Sequence, residues 1–506
     1  MLRVGSVEVG GGLESMAAET ERLTAPFKDR PSSVADLYDL AGRIEAAYAR
    51  RGYILARVTV PPQNLSDGAT VRLMVTDGVI AAVSLNGVPA RMRATVALRT
   101  AGLVGRQWPT LDQIERALVL SGALPGLTLH SALAPGAEAG TTTLIVAGDY
   151  APVTFGLNAD NRLGGEFADW ELAPTVSLNG LLGMGETVYV SAIAHPDSRV
   201  FHHDNVRRVL GVGAVVPVGS DGLAVNPEFT LAETNPRLGP GAARTRGEFR
   251  RLAVRLSYPF IKDRHEDLEL SGSVEAIDET QDAIDFGTRL SDDRLRNLTL
   301  GLDWARAWPG GMTLSASLLG TQGVSGLGAR TAADVAASGV PFSRQGVSPV
   351  FTKLEGSARL SRTWPSGVVL AGTVRFQASA SGALASSEQF NLDSPDGMST
   401  FPIGRLTGDS GFTARAEIAR EFRVPGSAAS ISPYLFGAVG DAFLDQPTAL
   451  ERATVEAKAY GAGVRVSLRP AKARTTLYGA VEVGRAQSNS ALPDSTRVSI
   501  DLGVRF

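Results

Sequence analysis

Val498-Ser499-Ile500-Asp501-Leu502-Gly503-Val504-Arg505-Phe506 ends the sequence with an apolar side chain at every even position and a polar or small one at every odd position. Period two places the two sets on opposite faces of a strand. The same grammar recurs upstream. Leu252, Val254, Leu256 and Tyr258 alternate with Arg251, Ala253, Arg255 and Ser257. Leu268, Leu270, Gly272 and Val274 alternate with Glu269, Ser271, Ser273 and Glu275, and Leu298, Leu300, Leu302 and Trp304 with Thr299, Gly301 and Asp303. Charges keep to one side of each strand. From Tyr150 onward no convincing amphipathic helix interrupts these stretches, apart from a short one near Ala332. They return roughly every 20–25 residues, the hairpin spacing of a large barrel.

Periodicity alone also fits a two-sheet sandwich, so loop lengths decide. About 16 candidate strands are joined by connections that alternate between short and long, as in outer-membrane barrels. The short ones include Ser220-Asp221-Gly222, Ile261-Lys262-Asp263-Arg264, Pro309-Gly310-Gly311, Pro365-Ser366-Gly367 and Pro470-Ala471-Lys472. The long ones include Ala232 to Gly247, Asp278 to Arg294, Thr321 to Pro349, Ser379 to Asp409 and Asp441 to Val455. Tyr258, Phe260, Trp304, Trp308, Trp364, Phe422 and Phe506 gather beside the short turns, where amphipathic rings would sit at one headgroup level. The expected architecture is mainly β, an antiparallel barrel over 151–506, with the long loop 379–410 folded into its lumen.

Composition narrows the function classes. The chain has 506 residues, net charge −3 and no cysteine, with 44% hydrophobic and 20% charged residues. These are globular values and exclude disorder. A mean hydropathy of +0.04 with no long apolar run excludes a polytopic helical membrane protein, but not a barrel of alternating strands. Near-neutral charge gives no support for nucleic acid as a partner. Lack of cysteine removes disulfides, thiolate metal sites and thiol nucleophiles, and suits an oxidising compartment such as the bacterial periplasm. Met1-Leu2-Arg3 runs straight into a strand without the apolar stretch of a signal peptide, so export would imply a mature or trimmed chain.

Two small α/β modules precede the barrel, 1–78 and 79–150. In the first, Ser33 and Asp36 form a capping box for a helix that buries Leu37, Leu40, Ala41, Ile44, Ala47 and Tyr48, and Gly52 stops it. Tyr53 to Val60 then reads as a strand closed by Pro61-Pro62, with a second strand from Thr70 to Val75. In the second, a strand runs from Ile80 to Leu85, and a helix capped by Thr110 and Gln113 carries Leu111, Ile114, Ala117, Leu118 and Val119 on its apolar face. Strands Leu127 to Ser131 and Thr142 to Val146 close the unit. The β-α-α-β-β order occurs twice, which makes tandem modules. Each sheet would keep a free edge able to accept an extended client strand, or else serve as a spacer. The modules enter the barrel from the short-turn rim, the periplasmic one.

Catalytic readings fare poorly. Gly408-Asp409-Ser410-Gly411 is shared with the nucleophile loop of trypsin-like proteases, but His130, His195, His202, His203 and His265 lack the context of a base oriented by a carboxylate. His202-His203-Asp204 falls in a long loop, where adventitious metal binding is the only metal reading, and no phosphate loop, HExxH or GxSxG is present. No enzyme activity, cofactor or metal is expected. Arg251, Arg255, Glu269, Glu275, Asp303, Arg359, Arg415, Glu417, Asp501 and Arg505 read as the lining of a wet, mixed-sign lumen.

Two stretches carry a family resemblance. Tyr48 to Gly78, YARRGYILARVTVPPQNLSDGATVRLMVTDG, resembles the first POTRA domain of the two-partner secretion transporters (TpsB), the haemolysin and filamentous-haemagglutinin exporter family. Arg51-Gly52-Tyr53, Val60-Pro61-Pro62-Gln63-Asn64-Leu65 and Asp77-Gly78 carry the match. Ser394 to Phe422, SPDGMSTFPIGRLTGDSGFTARAEIAREF, is similar to the family's lumenal loop and the strand after it, between the eleventh and twelfth candidate strands. Gly408-Asp409-Ser410-Gly411, Arg415 and Glu417 match that pattern as they stand. The loop tip differs: Met398-Ser399-Thr400-Phe401 puts Ser399 where the family has arginine, and in Tyr434 to Gly440 Ala438 replaces that arginine's acidic partner. Losing one member of a buried pair costs about 3–5 kcal/mol whereas losing both is nearly neutral, so the double loss reads as coordinated. Arg405 is then expected to take over by reaching Glu417 or another lumenal acid.

The resemblance implies an outer-membrane protein, its POTRA modules in the periplasm, that secretes an unfolded exoprotein bearing an N-terminal secretion domain, without ATP. Tyr53, Arg57, Gln63 and Asn64 are the expected client contacts, and Phe506 the recognition end for the barrel assembly machinery. Outer-membrane lipid surrounds a chain expected to be a monomer. The family's plug helix and linker, which precede its first POTRA domain, have no counterpart in the residues given, so the expectation is either a trimmed chain or a misassigned start. An outer-membrane assembly factor, usually richer in POTRA modules, is the alternative, and a passive porin, which lacks them, ranks third.

Overall fold

The computed structural model describes residues 2–138, 140–196, 205–469 and 475–506. Two compact units divide the chain: 1–151 with 182–185 and 219–221, and the remainder.

In the first unit two three-stranded sheets share one plan, a parallel edge strand and an antiparallel edge strand flanking a central one. Thr70–Thr76 is central in the first sheet, between Ser6–Gly10 and Arg57–Thr59. Thr142–Tyr150 is central in the second, between Ile80–Gly87 and Leu127–Pro135. A separate short ladder joins Leu2–Val4 to Arg30–Ser32. Helix Val34–Arg50 starts at the capping box of Ser33 and Asp36, and its buried face is Leu37, Leu40, Ala41, Ile44, Ala47 and Tyr48, as its spacing requires. Helix Leu111–Gly122 starts at the box of Thr110 and Gln113, but buries Ile114, Ala117, Leu120 and Ser121, so Leu111 and Val119 flank the face and do not lead it.

The expected strand from Tyr53 to Val60 is shorter, only Arg57–Thr59. Gly52, at φ +91°, turns the chain, and Tyr53 and Ala56 close local turns by donating their N–H groups to Tyr48 O and Tyr53 O. Tyr53 packs against Tyr48 and Trp108 at centroid distances of 6.2 and 6.1 Å, while Leu55 drops into the core of the second sheet. Local packing between the modules outcompetes ladder formation here.

The second unit is a closed antiparallel barrel of sixteen strands from Val153–Asp160 to Ser495–Arg505, the twelfth broken at Glu421 into Ser410–Arg420 and Phe422–Arg423. The last strand closes on the first from Asp501 opposite Asp160 to Arg505 opposite Gly156. Register pairs like with like on the outer face: Val254 lies opposite Val274, and Val274 opposite Leu298. Leu252, Val254, Leu256, Leu270, Val274, Leu298 and Leu300 are all exposed there, a surface that only a lipid environment makes favourable.

Turns close as expected at Ser220–Gly222, Pro309–Gly311 and Pro365–Gly367, and a helix, Ala332–Ser338, stands in the loop after the ninth strand. Ile261 and Lys262 belong to a strand, not to the turn after it. Pro470-Ala471-Lys472 and His202-His203-Asp204 lie outside the described residues. The long loop expected over Asp278 to Arg294 is instead a tall hairpin: strands Glu266–Ala283 and Thr288–Trp308 pair up to Ala283 opposite Thr288. Polarity on both faces hid it. Above the apolar band the ladder is carried by ion pairs, Arg296 to Asp278 at 3.0 Å and Arg289 to Asp282 at 2.9 Å, which need no alternation.

Candidate functional site

The loop between the eleventh and twelfth strands fills part of the lumen. A small hairpin, Phe390–Asn391 with Thr407–Gly408, sets its direction. Below it the Asp393 carboxylate accepts the backbone N–H groups of Gly404, Arg405 and Leu406 at 3.1, 2.6 and 2.8 Å. That satisfies donors that would otherwise be stranded away from water. The loop's apolar residues Phe390, Leu392, Met398, Phe401 and Leu406 are buried together. The wall that receives them is small: Ala438, Ala442, Ala457, Ala459 and Ala486, with Tyr434 and Phe436 beside them. Ala438, where the family resemblance expects an acid, is therefore part of a recess shaped for the loop.

At the tip, Ser399 sits between opposite charges. Its Oγ accepts from Arg415 Nη1 at 2.7 Å and donates to Glu482 Oε1, while Arg415 Nη2 lies 2.8 Å from Glu482 Oε2. Tyr434 OH donates to the same Glu482 oxygen at 2.9 Å. Glu417 is 3.6 Å from Arg415 and is gripped in a fork by Arg465. The Arg415 guanidinium stands 3.9 Å over the Phe436 ring, and that of Arg465 4.0 Å over Tyr434. Ser499 Oγ donates to Ser399 O at 3.4 Å. Strands twelve to sixteen all contribute, two arginines balance two glutamates, and Ser399, Arg415, Glu417 and Glu482 are buried. A buried charge keeps its cost low only when paired and hydrogen-bonded, and here each one is.

Of the two partners expected for Arg405, Glu417 is corrected and another acid takes its place. Arg405 does not reach Glu417, which Arg465 and Arg415 already occupy. Its Nη2 lies 2.5 Å from Glu166, in a turn between the first two barrel strands. The ion pair missing from the tip is replaced by Arg415 with Glu482, whose link to Ser399 spans 83 residues of sequence. Glu482, Tyr434 and Arg465 escaped sequence reading. The available signal was a lone carboxylate on the lumen side of Val481 and Val483.

The loop's root is built differently. The fully buried Asp409 accepts from Leu384 N at 2.8 Å, Asp445 N at 2.7 Å and Arg344 Nη1 at 2.5 Å. Arg344 comes from the loop after the ninth strand and also donates to Leu384 O at 3.0 Å. Gly408 and Gly411 permit this closeness. A Cβ on Gly408 would lie 2.9 Å from the Phe443 backbone, and one on Gly411 2.7 Å from Asp441 O. Ser410 Oγ accepts from Ser379 N at 3.0 Å, a structural task with none of the geometry of a nucleophile.

The remaining lumen is wet and mixed in sign. Glu269, Asp303, Arg359 and Arg375 line a cavity of about 510 Å³, and Arg162, Arg415, Glu417 and Asp501 one of about 530 Å³. Arg251 pairs with Glu228. Phe506 donates its N–H to Phe155 O at 2.9 Å and packs its half-exposed ring on Phe155.

In the first unit, Gln63 is committed to its own module. Its amide donates to Arg72 O and accepts from Arg72 N, both at 2.8 Å, continuing the ladder where Pro61-Pro62 ends the strand. Arg57 donates to Ala56 O at 3.0 Å and is exposed, as is Asn64, while Tyr53 is half-buried beneath Trp108.

This arrangement, a sixteen-stranded barrel with a loop seated in its lumen and, earlier in the chain, two small α/β sheets, has counterparts among known proteins. Residues 2–78 match the POTRA domain, ShlB-type, and residues 140–468 match the haemolysin secretion/activation protein ShlB/FhaC/HecB family. The chain belongs to that family. The outer membrane transporter CdiB of Escherichia coli is 27% identical over 220 residues, 43% of this chain and 36% of that protein. The heme/hemopexin transporter protein HuxB of Haemophilus influenzae strain 86-028NP is 21% identical over 183 residues, 36% of this chain and 32% of that protein. The matching segments thus span about a third of these relatives. The solved structure of CdiB from Escherichia coli shares the fold with a TM-score of 0.77 at 20% identity, covering 100% of this chain and 90% of that one. BamA from Haemophilus ducreyi lacking POTRA domains 1–3 has a TM-score of 0.54 at 11% identity, with both chains covered in full.

Proposed function

We propose that this protein is an outer-membrane pore that secretes a partner exoprotein across the outer membrane. Residues 1–78 and 79–150 act as periplasmic POTRA domains that hold the unfolded client, and 151–506 forms the conduit. One observation carries the reading: a segment of the chain's own loop occupies the lumen, and its tip is held by side chains alone. A passive porin needs no such stopper, whereas a translocator needs one that leaves. The tip's hydrogen bonds to Arg415 and Glu482 can be exchanged for bonds to a passing polypeptide. That exchange costs little when the new partner is equally polar. The outer strands Arg57–Thr59 and Leu127–Pro135 are where an extended client would add, because backbone hydrogen bonds tolerate any side chain. Tyr53, Arg57 and Asn64 lie beside the first of these edges, whose Val58 N–H is already held by Glu45 at 2.7 Å, so a client there displaces that carboxylate, and Gln63 contributes by holding the fold. No nucleotide enters the scheme, since folding outside the cell draws the chain through.

Deleting the gene and comparing proteins in the medium and on the cell surface by mass spectrometry tests this. Loss of one large exoprotein with the barrel profile intact is expected. A broad fall in many barrel proteins would point to an assembly factor and overturn the proposal.

A further inference from the structure

Three strands that run toward the short-turn rim end in the same three-residue phrase: Arg306-Ala307-Trp308, Arg362-Thr363-Trp364 and Arg420-Glu421-Phe422. They are the eighth, tenth and twelfth barrel strands, so one strand separates each from the next. Within each phrase the arginine and the aromatic residue share the outer face, because they are two apart. Each guanidinium stands over its ring, at 5.4, 5.1 and 5.1 Å from the centroid. Above them on the same face lie the apolar rows ending in Leu302, Leu360 and Ile418.

A guanidinium at the border of an apolar band is costly unless an anion meets it. Arg306 has one in the protein, Glu266 at 3.3 Å. Among the described residues no carboxylate pairs with Arg362 or Arg420. These two flank the strand Val368–Ser379, with Arg362 opposite Leu370 and Val368 opposite Arg420. Leu370 is 51% exposed. Two unpaired cations on backbones roughly 12 Å apart, by two strand spacings and a two-residue stagger, thus bracket an apolar strip that their long side chains can span. That pattern complements one anionic phospholipid: acyl chains along Leu370 and Ile418, a phosphate held between two guanidiniums already oriented by their aromatic neighbours.

We propose that Arg362 and Arg420 form a binding site for the phosphate headgroup of an anionic phospholipid at the short-turn rim. The site rests on the barrel lying in a membrane, not on what passes through it. Juxtamembrane arginines contribute enough for about a five-fold change in affinity each.

The test is native mass spectrometry of the full chain in detergent, titrated with phosphatidylglycerol or with zwitterionic phosphatidylcholine. The wild type is expected to retain phosphatidylglycerol preferentially. R362Q/R420Q is expected to lose that preference by an order of magnitude, and R362K/R420K to keep part of it. Heat-modified gel mobility and flotation with vesicles check that each variant is folded and inserted. Inorganic phosphate at millimolar concentration is expected not to compete, since the apolar strip supplies part of the affinity. Equal retention of the two lipids by the wild type, unchanged preference in R362Q/R420Q, or full displacement by inorganic phosphate would each overturn the proposal.

Discussion

The two ends of the lumenal loop are fastened by different chemistry. At the root, Asp409 is fully buried and held by two backbone N–H groups and Arg344, with glycines on both sides where a side chain would collide with the wall. At the tip, Ser399 is held by side chains only, between Arg415 and Glu482, which are already bonded to each other. Removing the root strands amides and a guanidinium in the interior. Removing the tip leaves the arginine and the glutamate still paired. In the proposed function such a loop would pivot on its root and let go at its tip.

Substitutions should separate the ends in a definite order. Asp409→Ala leaves Arg344 without its partner and two amides unsatisfied, so a loss of about 3–5 kcal/mol is expected, read as loss of the heat-resistant folded band on cold gels. Glu482→Ala takes from the buried Arg415 its nearer carboxylate and leaves only Glu417 at 3.6 Å, itself held by Arg465. It should cost about 3 kcal/mol and raise single-channel conductance in planar bilayers, while R415L/E482L, which removes both charges, should recover most of the stability. Ser399→Ala deletes one hydroxyl shared by two charged groups, about 1–2 kcal/mol, and should make openings more frequent without altering the folded band. Arg405→Ala breaks a pair whose arginine is 42% exposed, so less than about 1 kcal/mol and near-wild-type conductance are expected. An Arg405 variant with a larger effect than the Ser399 variant would reverse the assignment of the tip.

How much of this was legible in the sequence follows from the range of each interaction. The alternation at Leu252 to Tyr258 and Val498 to Phe506 is local, and it marks the outer face because lipid acts on every second residue alike. The helix caps at Ser33 and Thr110 are equally local, and both boxes are present. Asp278 to Arg294 misled because a ladder above the membrane has no apolar side to reveal it. Tyr53 to Leu55 misled because three aromatic rings and a second module's core claimed residues that alternate like a strand. The loop and its Gly-Asp-Ser-Gly root were visible through family likeness. The acid that meets Ser399 was not, since Glu482 lies three strands away and only barrel closure brings it near.

The most direct measurement uses the chain's lack of cysteine. Ser499 Oγ meets the backbone carbonyl of Ser399, which sets the loop tip against the last strand, and the S399C/S499C variant is the one in which a disulfide, once confirmed by its gel shift, ties the tip to the wall. Secretion of the partner exoprotein should stop when the pair is oxidised and return on adding a reductant, with the single-cysteine variants active throughout. Undiminished secretion through the oxidised, tied barrel would show that the tip does not leave its seat, and would contradict the account.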